Sequence, residues 1–262
     1  MTPPVISCIV PAFNGERCLR EALESIRAQS YRPLEIIVAD DGSTDGTAAV
    51  VAAFGEEVCY LRQANQGPAA ARNLGLQTAR GQFVAFLDQD DLWHPEKLAR
   101  QMGCFQVRPA LDLCITYARL FWISGLGREE VRYHDHPRTL PVPGYTTGTL
   151  LARRALFGAV GWFNASLWFS DATEWFLRAT HRGAVMELLP DVLMYHRMHQ
   201  TNLSRRRAAA SREEFVRIVK AALDRRRRPV GTPDGSYVRP ALNRRGDRRS
   251  TLSDSSGQSN RG

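Results

Sequence analysis

The side chains best suited to chemistry in this 262-residue chain are carboxylates that close apolar runs. Gly81 to Trp93 reads GQFVAFLDQDDLW, where Phe83-Val84-Ala85-Phe86-Leu87 runs unbroken into Asp88, Gln89, Asp90 and Asp91. Like charges this close repel, and beside a core they are costly unless a cation or ligand compensates them. Hard divalent ions take carboxylate oxygen, and Mg2+ is usually held by one or two carboxylates together with substrate phosphates. The cluster points to a metal–diphosphate site at the end of a buried strand. An acidic helix start before Pro95 is the plainer alternative, and it accounts for one Asp more easily than for three. A second pair, Asp40-Asp41, closes the run Leu34 to Ala39 and opens Gly42-Ser43-Thr44-Asp45-Gly46-Thr47. That loop imitates an EF-hand opening, but its twelfth position is Ala52 where a bidentate Glu is required. Turn and capping roles account for Ser43 to Asp45 and leave Asp40 and Asp41 as ligand candidates.

These carboxylates need strands to carry them. Val5 to Val10 reads as a buried strand closed by Pro11-Ala12-Phe13-Asn14-Gly15, and Leu19, Leu23 and Ile26 then recur at helical spacing. Leu34 to Ala39 is a second strand, Val58 to Leu61 a third, and Pro68 opens a helix that leads to the strand before Asp88. Strand, turn and helix alternate, which predicts a mostly parallel sheet wound by right-handed crossovers. Ligands of such sheets sit beyond the carboxyl ends of the strands, where Phe13-Asn14, Asp40-Asp41 and Asp88-Asp90 fall.

The segments VPAFN, ADDGSTDGT, NQGPAAARNLG and FVAFLDQDDLW, in this order and spacing, resemble the family 2 glycosyltransferases of GT-A fold. The likeness continues more loosely through GTLLARRALFGAVGWFN, SDATEWFLRA and YHRMHQTNLS and covers about Val5 to Ser204. It implies an α/β GT-A sheet flanked by helices, a nucleotide diphosphate donor, most often a uridine diphosphate sugar, and inversion at the anomeric carbon. By this resemblance Asp40 and Asp41 contact base and ribose, with Pro11, Ala12 and Phe13 beside the base. Asp88-Gln89-Asp90 becomes the D-x-D element, with Asp90 on a Mg2+ or Mn2+ ion and Asp88 on the ribose or the metal shell. A bound divalent ion stabilises the charge of the leaving phosphate as a Lewis acid. Arg72, one turn into the helix opened by Pro68, either adds positive charge there or sits on a solvated helix face.

Inverting transfer needs a general base for the acceptor hydroxyl. In the resembled family that base is the Asp of a Glu-Asp pair at a helix start. Aligned on Trp-Phe-Leu-Arg, this chain has Asp171-Ala172 there, so the second acid is missing. Asp171 or Glu174, which share a helical face at a spacing of three, are the candidates; both also favour a helix N-terminus without any catalytic role. Further on, His196, Arg197 and His199 follow a strand pair expected around Pro190-Asp191, and His199 is a candidate metal ligand beside the commoner surface role. Ser124 to Gly148 lacks a clear period and reads as part of the acceptor side; its His134 and His136 are read as solvated.

Net charge is +8, but from Arg205 onward there are 16 Lys+Arg against 6 Asp+Glu, so the basicity belongs to the C-terminal part. The expected organisation is 1–100 for the nucleotide-sugar half, 101–204 for the acceptor half, 205–228 for a basic amphipathic helix and 229–262 for a disordered tail. Five cysteines, odd in number and without C-x-x-C, fit a reducing cytosol, and no signal peptide or membrane span is expected. The expectation is a cytoplasmic protein whose basic tail makes peripheral contact at the inner face of the membrane. The partners expected are a nucleotide-sugar donor and a glycan or lipid-linked acceptor, with no specific nucleic acid, since no recognition motif accompanies the basic tail. A donor-binding protein without turnover is the rival reading, motivated by Ala172.

Overall fold

A computed structural model describes residues 2–122 and 140–227. One compact unit spans Met1–Arg225, and a second begins at Arg226. The strands are β1 (Ile6–Ala12), β2 (Leu34–Asp40), β3 (Val58–Arg62), β4 (Phe83–Phe86), β5 (Leu92–Trp93), β6 (Leu113–Trp122), β7 (Val142–Pro143), β8 (Leu151–Arg153) and β9 (Met186–Met198). The helices are α1 (Leu19–Arg27), α2 (Thr47–Ala52), α3 (Pro68–Thr78), α4 (Lys97–Val107), α5 (Arg154–Val160), α6 (Asp171–His181), α7 (Leu203–Arg206) and α8 (Ala208–Arg227).

All but β7 form the sheet order β3-β2-β1-β4-β8-β6-β9-β5, with β7 on the side of β6. β1 to β4 run parallel, while β8, β7 and β5 pair antiparallel with their neighbours. The chain moves outward from β1 through β2 to β3, then returns to place β4 on the other side of β1. That reversal makes a crevice between the carboxyl ends of β1 and β4, where open α/β sheets bind ligands.

The middle of the sheet is buried on both faces. On one side Ile6, Cys8 and Val10 of β1 meet Leu19, Leu23 and Ile26 of α1, with Leu98, Met102 and Phe105 of α4 in the same cluster. On the other, Ile9, Val84 and Phe86 join Leu156 and Phe157 of α5 and Trp175 and Phe176 of α6. Alternation along β1 explains the split, since successive side chains of a strand face opposite ways. Each large apolar side chain so buried stabilises the fold by about 1.5–3 kcal/mol.

Two sequence expectations change in detail. The segment around Pro190-Asp191 is not a strand pair but one long strand, β9, running parallel to β6. Its register jumps from Thr116↔Leu189 to Tyr117↔Val192, so Pro190 and Asp191 are taken up in a bulge. A proline has no N–H for the ladder and is tolerated at such an irregularity. The basic helix expected over 205–228 is a helix from Ala208 to Arg227, preceded by the short turn of helix Leu203–Arg206. His134, His136 and the tail from Arg228 lie outside the described residues. Among the described residues no helix is long and apolar enough to cross a membrane.

Candidate active site

A cleft of about 1680 Å3 opens at the crevice, larger than the roughly 300–1,000 Å3 of an ordinary small-ligand site. Pro11, Ala12 and Phe13 line it at the end of β1, Asp88 to Asp90 in the loop after β4, and Asp171 at the start of α6.

The first two loops are tied together by side chains that cap backbone groups. Asn14 adopts φ 51°, an unusual left-handed conformation for a residue with a side chain. Its N–H donates to Ser43 Oγ at 2.9 Å, and its Oδ1 accepts from the Thr44 N–H at 2.8 Å. Gly15 N–H donates to Thr47 Oγ1 at 2.8 Å and Glu16 N–H to Asp45 Oδ2 at 3.1 Å. The polar run after Asp41 is thus a clamp on the loop of β1.

Asp40 and Asp41 serve the same loops. Asp40 is 1% exposed and does not line the cleft; it accepts from Tyr60 Oη and, at 2.8 Å, from the Ser43 N–H. Asp40 thus lies behind the cleft wall, with one oxygen on Ser43 and the other on Tyr60. Burial, with the Asp40 bond, pushes the Tyr60 hydroxyl up to about 12, so it stays a donor. Asp41 reaches the cleft wall, but its carboxylate accepts from Gln63 Nε2 at 2.7 Å, Gln66 N–H at 2.9 Å and Gly67 N–H at 2.8 Å. It shapes the entry to α3.

The three carboxylates after β4 separate into three environments. Asp88 is the most open, and its Oδ1 accepts from Arg72 Nη2 at 2.6 Å. Asp90 Oδ2 faces His199 Nε2 at 2.7 Å and Asn202 Nδ2 at 3.3 Å. Its pKa is lowered: burial alone would raise it, but the His199 bond and the two nearby imidazoles prevail. Asp91 is fully buried and turned away, accepting the Arg197 N–H at 2.9 Å with His196 Nδ1 at 3.1 Å. Burial would lower the His196 pKa, yet the Asp91, Asp90 and Asp88 charges raise it to about 9. The cluster therefore offers Asp88 and Asp90 to the cleft and spends Asp91 on fastening β9. Gln89, between them, makes a two-point pairing with Phe13, accepting its N–H at 2.8 Å and donating to its carbonyl at 2.9 Å.

Arg72 lines the cleft and is not on a solvated helix face. It is buried, and its Nη1 and Nη2 bind Asp171 Oδ2 and Asp88 Oδ1, each at 2.6 Å. Burial would lower its pKa, but the two carboxylates raise it above the ordinary value. Its Nε, with Trp122 Nε1, is a buried side-chain nitrogen without a partner among the described residues. Both residues line the cleft, where spare donors suit a ligand. Glu174 does not line the cleft, and its carboxylate accepts from Arg178 Nε at 2.8 and 2.9 Å. A four-residue spacing within α6 aims it along the helix at Arg178. Ala172 and Thr173 line the cleft in its place.

Three contributors had little sequence signal: Gln89 as a backbone clamp, Asn202 as a partner of Asp90, and Trp168, whose ring walls the cleft beside Gly67. Among the described residues no three His, Cys, Asp or Glu side chains converge as a metal centre. Asp90 and His199 pair at 2.7 Å on the cleft wall, which Asp88 also lines.

The fold is shared with solved sugar transferases. S. aureus TarS residues 1–349, in complex with UDP-GlcNAc, aligns with TM-score 0.66 and 22% identity, covering 83% of this chain and 65% of that one. A mannosyltransferase from Pyrobaculum calidifontis, in complex with GDP-Man and Mn2+, gives TM-score 0.66 and 21% identity over 85% and 65% of the two chains. This defines the GT-A class of fold. The chain belongs to glycosyl transferase family 2, whose model matches residues 7–161. An uncharacterised glycosyltransferase of Rickettsia felis is 28% identical over 218 residues, 78% of this chain and 36% of the relative. Another, of Rickettsia typhi, is 38% identical over 100 residues, 38% of this chain and 31% of the relative. The chain spans about a third of the length of these relatives.

Proposed function

We propose that the cleft transfers a sugar, with inversion, from a nucleotide diphosphate donor to a hydroxyl acceptor in glycan or polysaccharide assembly. A uridine diphosphate sugar is the favoured donor, and a glycan or lipid-linked molecule the acceptor. The observation that carries this reading is Arg72, which joins Asp88 at the end of β4 to Asp171 at the start of α6. One buried guanidinium thereby fixes the spacing between the donor-side carboxylate and the candidate base.

Pro11 to Phe13, held by Gln89, form the platform beside the nucleotide base. Asp90 and His199, with Asp88, would hold a Mg2+ or Mn2+ ion, which would supply Lewis-acid neutralisation of the charge developing on the diphosphate. Arg72 holds Asp171 at the cleft wall, where its carboxylate takes the proton of the acceptor hydroxyl. The acceptor oxygen forms its bond to the anomeric carbon as the bond to the diphosphate breaks. Phe215, Val216 and Leu223 are exposed among basic residues of α8, which supports a peripheral contact with anionic lipid at the cytoplasmic face.

Donor turnover with Mn2+ tests the transferase reading. Asp171→Asn is expected to abolish turnover while leaving donor affinity unchanged, and chelation is expected to weaken both. The second reading, donor binding without turnover, is favoured by Ala172 at the cleft wall and by the commitment of Asp171 Oδ2 to Arg72. Metal-dependent donor binding with no turnover by the unaltered protein would establish that second reading.

A further inference from the structure

The helix α8 lies beyond the stretch matched by the family model, yet one of its side chains reaches the wall of the cleft. Glu214 accepts three consecutive backbone N–H groups: Trp168 at 3.1 Å, Phe169 at 2.9 Å and Ser170 at 2.7 Å. These residues immediately precede Asp171, the first residue of α6. The internal ladder of α6 starts later, with the Glu174 N–H donating to Ser170 O at 2.9 Å. The three amides ahead of the helix are therefore held from outside it, by a carboxylate in a nest of donors. Charge-assisted bonds of this kind are about twice as strong as neutral ones.

The same loop is gripped at a second point. The Arg207 guanidinium lies 5.8 Å from the centre of the Trp168 ring, two turns before Glu214 in the chain. The Trp168 ring in turn packs on Gly67, where a Cβ would approach Cε2 to 3.3 Å. Gly67 has φ +93°, and its N–H is one of the three donors to Asp41. A contact path thus runs from α8 through Trp168 to the loop that opens α3, the helix of Arg72.

We infer that Glu214 is a positioning residue for the candidate base: it sets the loop 168–170, and through that loop the place of Asp171 against Arg72 and of Trp168 in the cleft wall. The C-terminal helix is then a working part of the site, although no substrate atom need touch it. This inference rests on the reading of Asp171 as the base, but its first readout does not.

The test uses the full chain with Glu214→Ala and Glu214→Gln. Amide hydrogen exchange of a peptide covering residues 168–170 is measured beside turnover and donor affinity. Glu214→Ala is expected to speed exchange at those amides by at least about 10-fold with protection in β1 and β4 retained, since all three charge-assisted bonds are lost. Turnover is expected to fall on the order of 10-fold or more at donor affinity within about 2-fold, because small misplacements of a reacting group are costly. Glu214→Gln keeps one carbonyl oxygen as acceptor and is expected to recover part of both effects. Unchanged exchange at 168–170 overturns the inference, and so does a turnover loss matched by equal losses of donor affinity and of protection across the sheet. Should Glu214→Ala not fold, Glu214→Gln decides by the same readouts. Full turnover in Asp171→Asn would remove the base reading alone, leaving the exchange result to judge Glu214.

Discussion

At the scale of single residues, the site is organised by pairing, and Arg72 is the centre of that pairing. Asp171 is only 5% exposed, so its charge depends on a partner that water cannot replace. Removing one member of a buried ion pair costs about 3–5 kcal/mol, because the other charge is left desolvated and alone. Arg72→Met is therefore expected to lower unfolding free energy by about that amount, as read from urea midpoints at constant slope. Arg72→Lys retains charge but has no planar fork to span two carboxylates, so it should recover stability only in part. A variant as stable as the parent would show that Asp88 and Asp171 find other partners. The sequence exposed these residues unequally. Asp88 and Asp90 stood out because carboxylates after an apolar run demand an explanation. Arg72 could not be placed, since a helix-face arginine reads the same whether its neighbours are water or acids one hundred residues away.

At the scale of elements, the parallel core was legible and the connections to it were not. β1, β2 and β4 announce themselves because both of their faces are largely buried, which leaves near-continuous apolar runs. The path of β9 was hidden because Pro190 breaks a strand pattern on paper, whereas a bulge absorbs it in the sheet. The role of α8 was hidden for another reason: Glu214 acts on loop amides some forty-five residues earlier, and backbone donors leave no trace in a sequence. Close packing between α3 and β1 gives a prediction at this scale. A Cβ on Gly75 would run into Ile9 Cγ2, which is itself enclosed in the core. Alanine gains about 1 kcal/mol of helix propensity over glycine, but overpacking costs about 1–3 kcal/mol. Gly75→Ala should therefore lose up to about 2 kcal/mol in chemical denaturation. A clear gain would mean that α3 can move away from the sheet without loss.

At the scale of the whole molecule, stability is coupled to pH through ionisable groups that folding hides. Lys97 on α4 is fully buried, with its Nζ donating to Gln101 Oε1 at 2.9 Å and lying 4.3 Å from the centre of the Trp93 ring. Burial lowers its pKa from 10.5 to about 7. Between those values the unfolded chain holds a proton that the folded chain has released, so this group's contribution to stability rises with pH. Below about 7 the amine is charged in both states and the penalty is constant. Other groups act in the opposite sense: His196 is raised to about 9, so its stabilisation fades as pH rises from 6.5, and burial raises Cys8 and Cys114 to about 12, so theirs fades above 9. The informative quantity is consequently the difference between the parent and Lys97→Met, in which those terms cancel. At pH 7 methionine removes the burden of a buried amine but leaves Gln101 Oε1 without its donor, a loss of about 1 kcal/mol. From pH 7 to pH 9 the parent should gain on the variant by about 2 kcal/mol, one proton's worth over that interval. Urea unfolding of both proteins at the two pH values measures it. A difference that stays constant between pH 7 and pH 9 would mean that Lys97 keeps its proton in the folded chain, with a partner or a water path stabilising the charge.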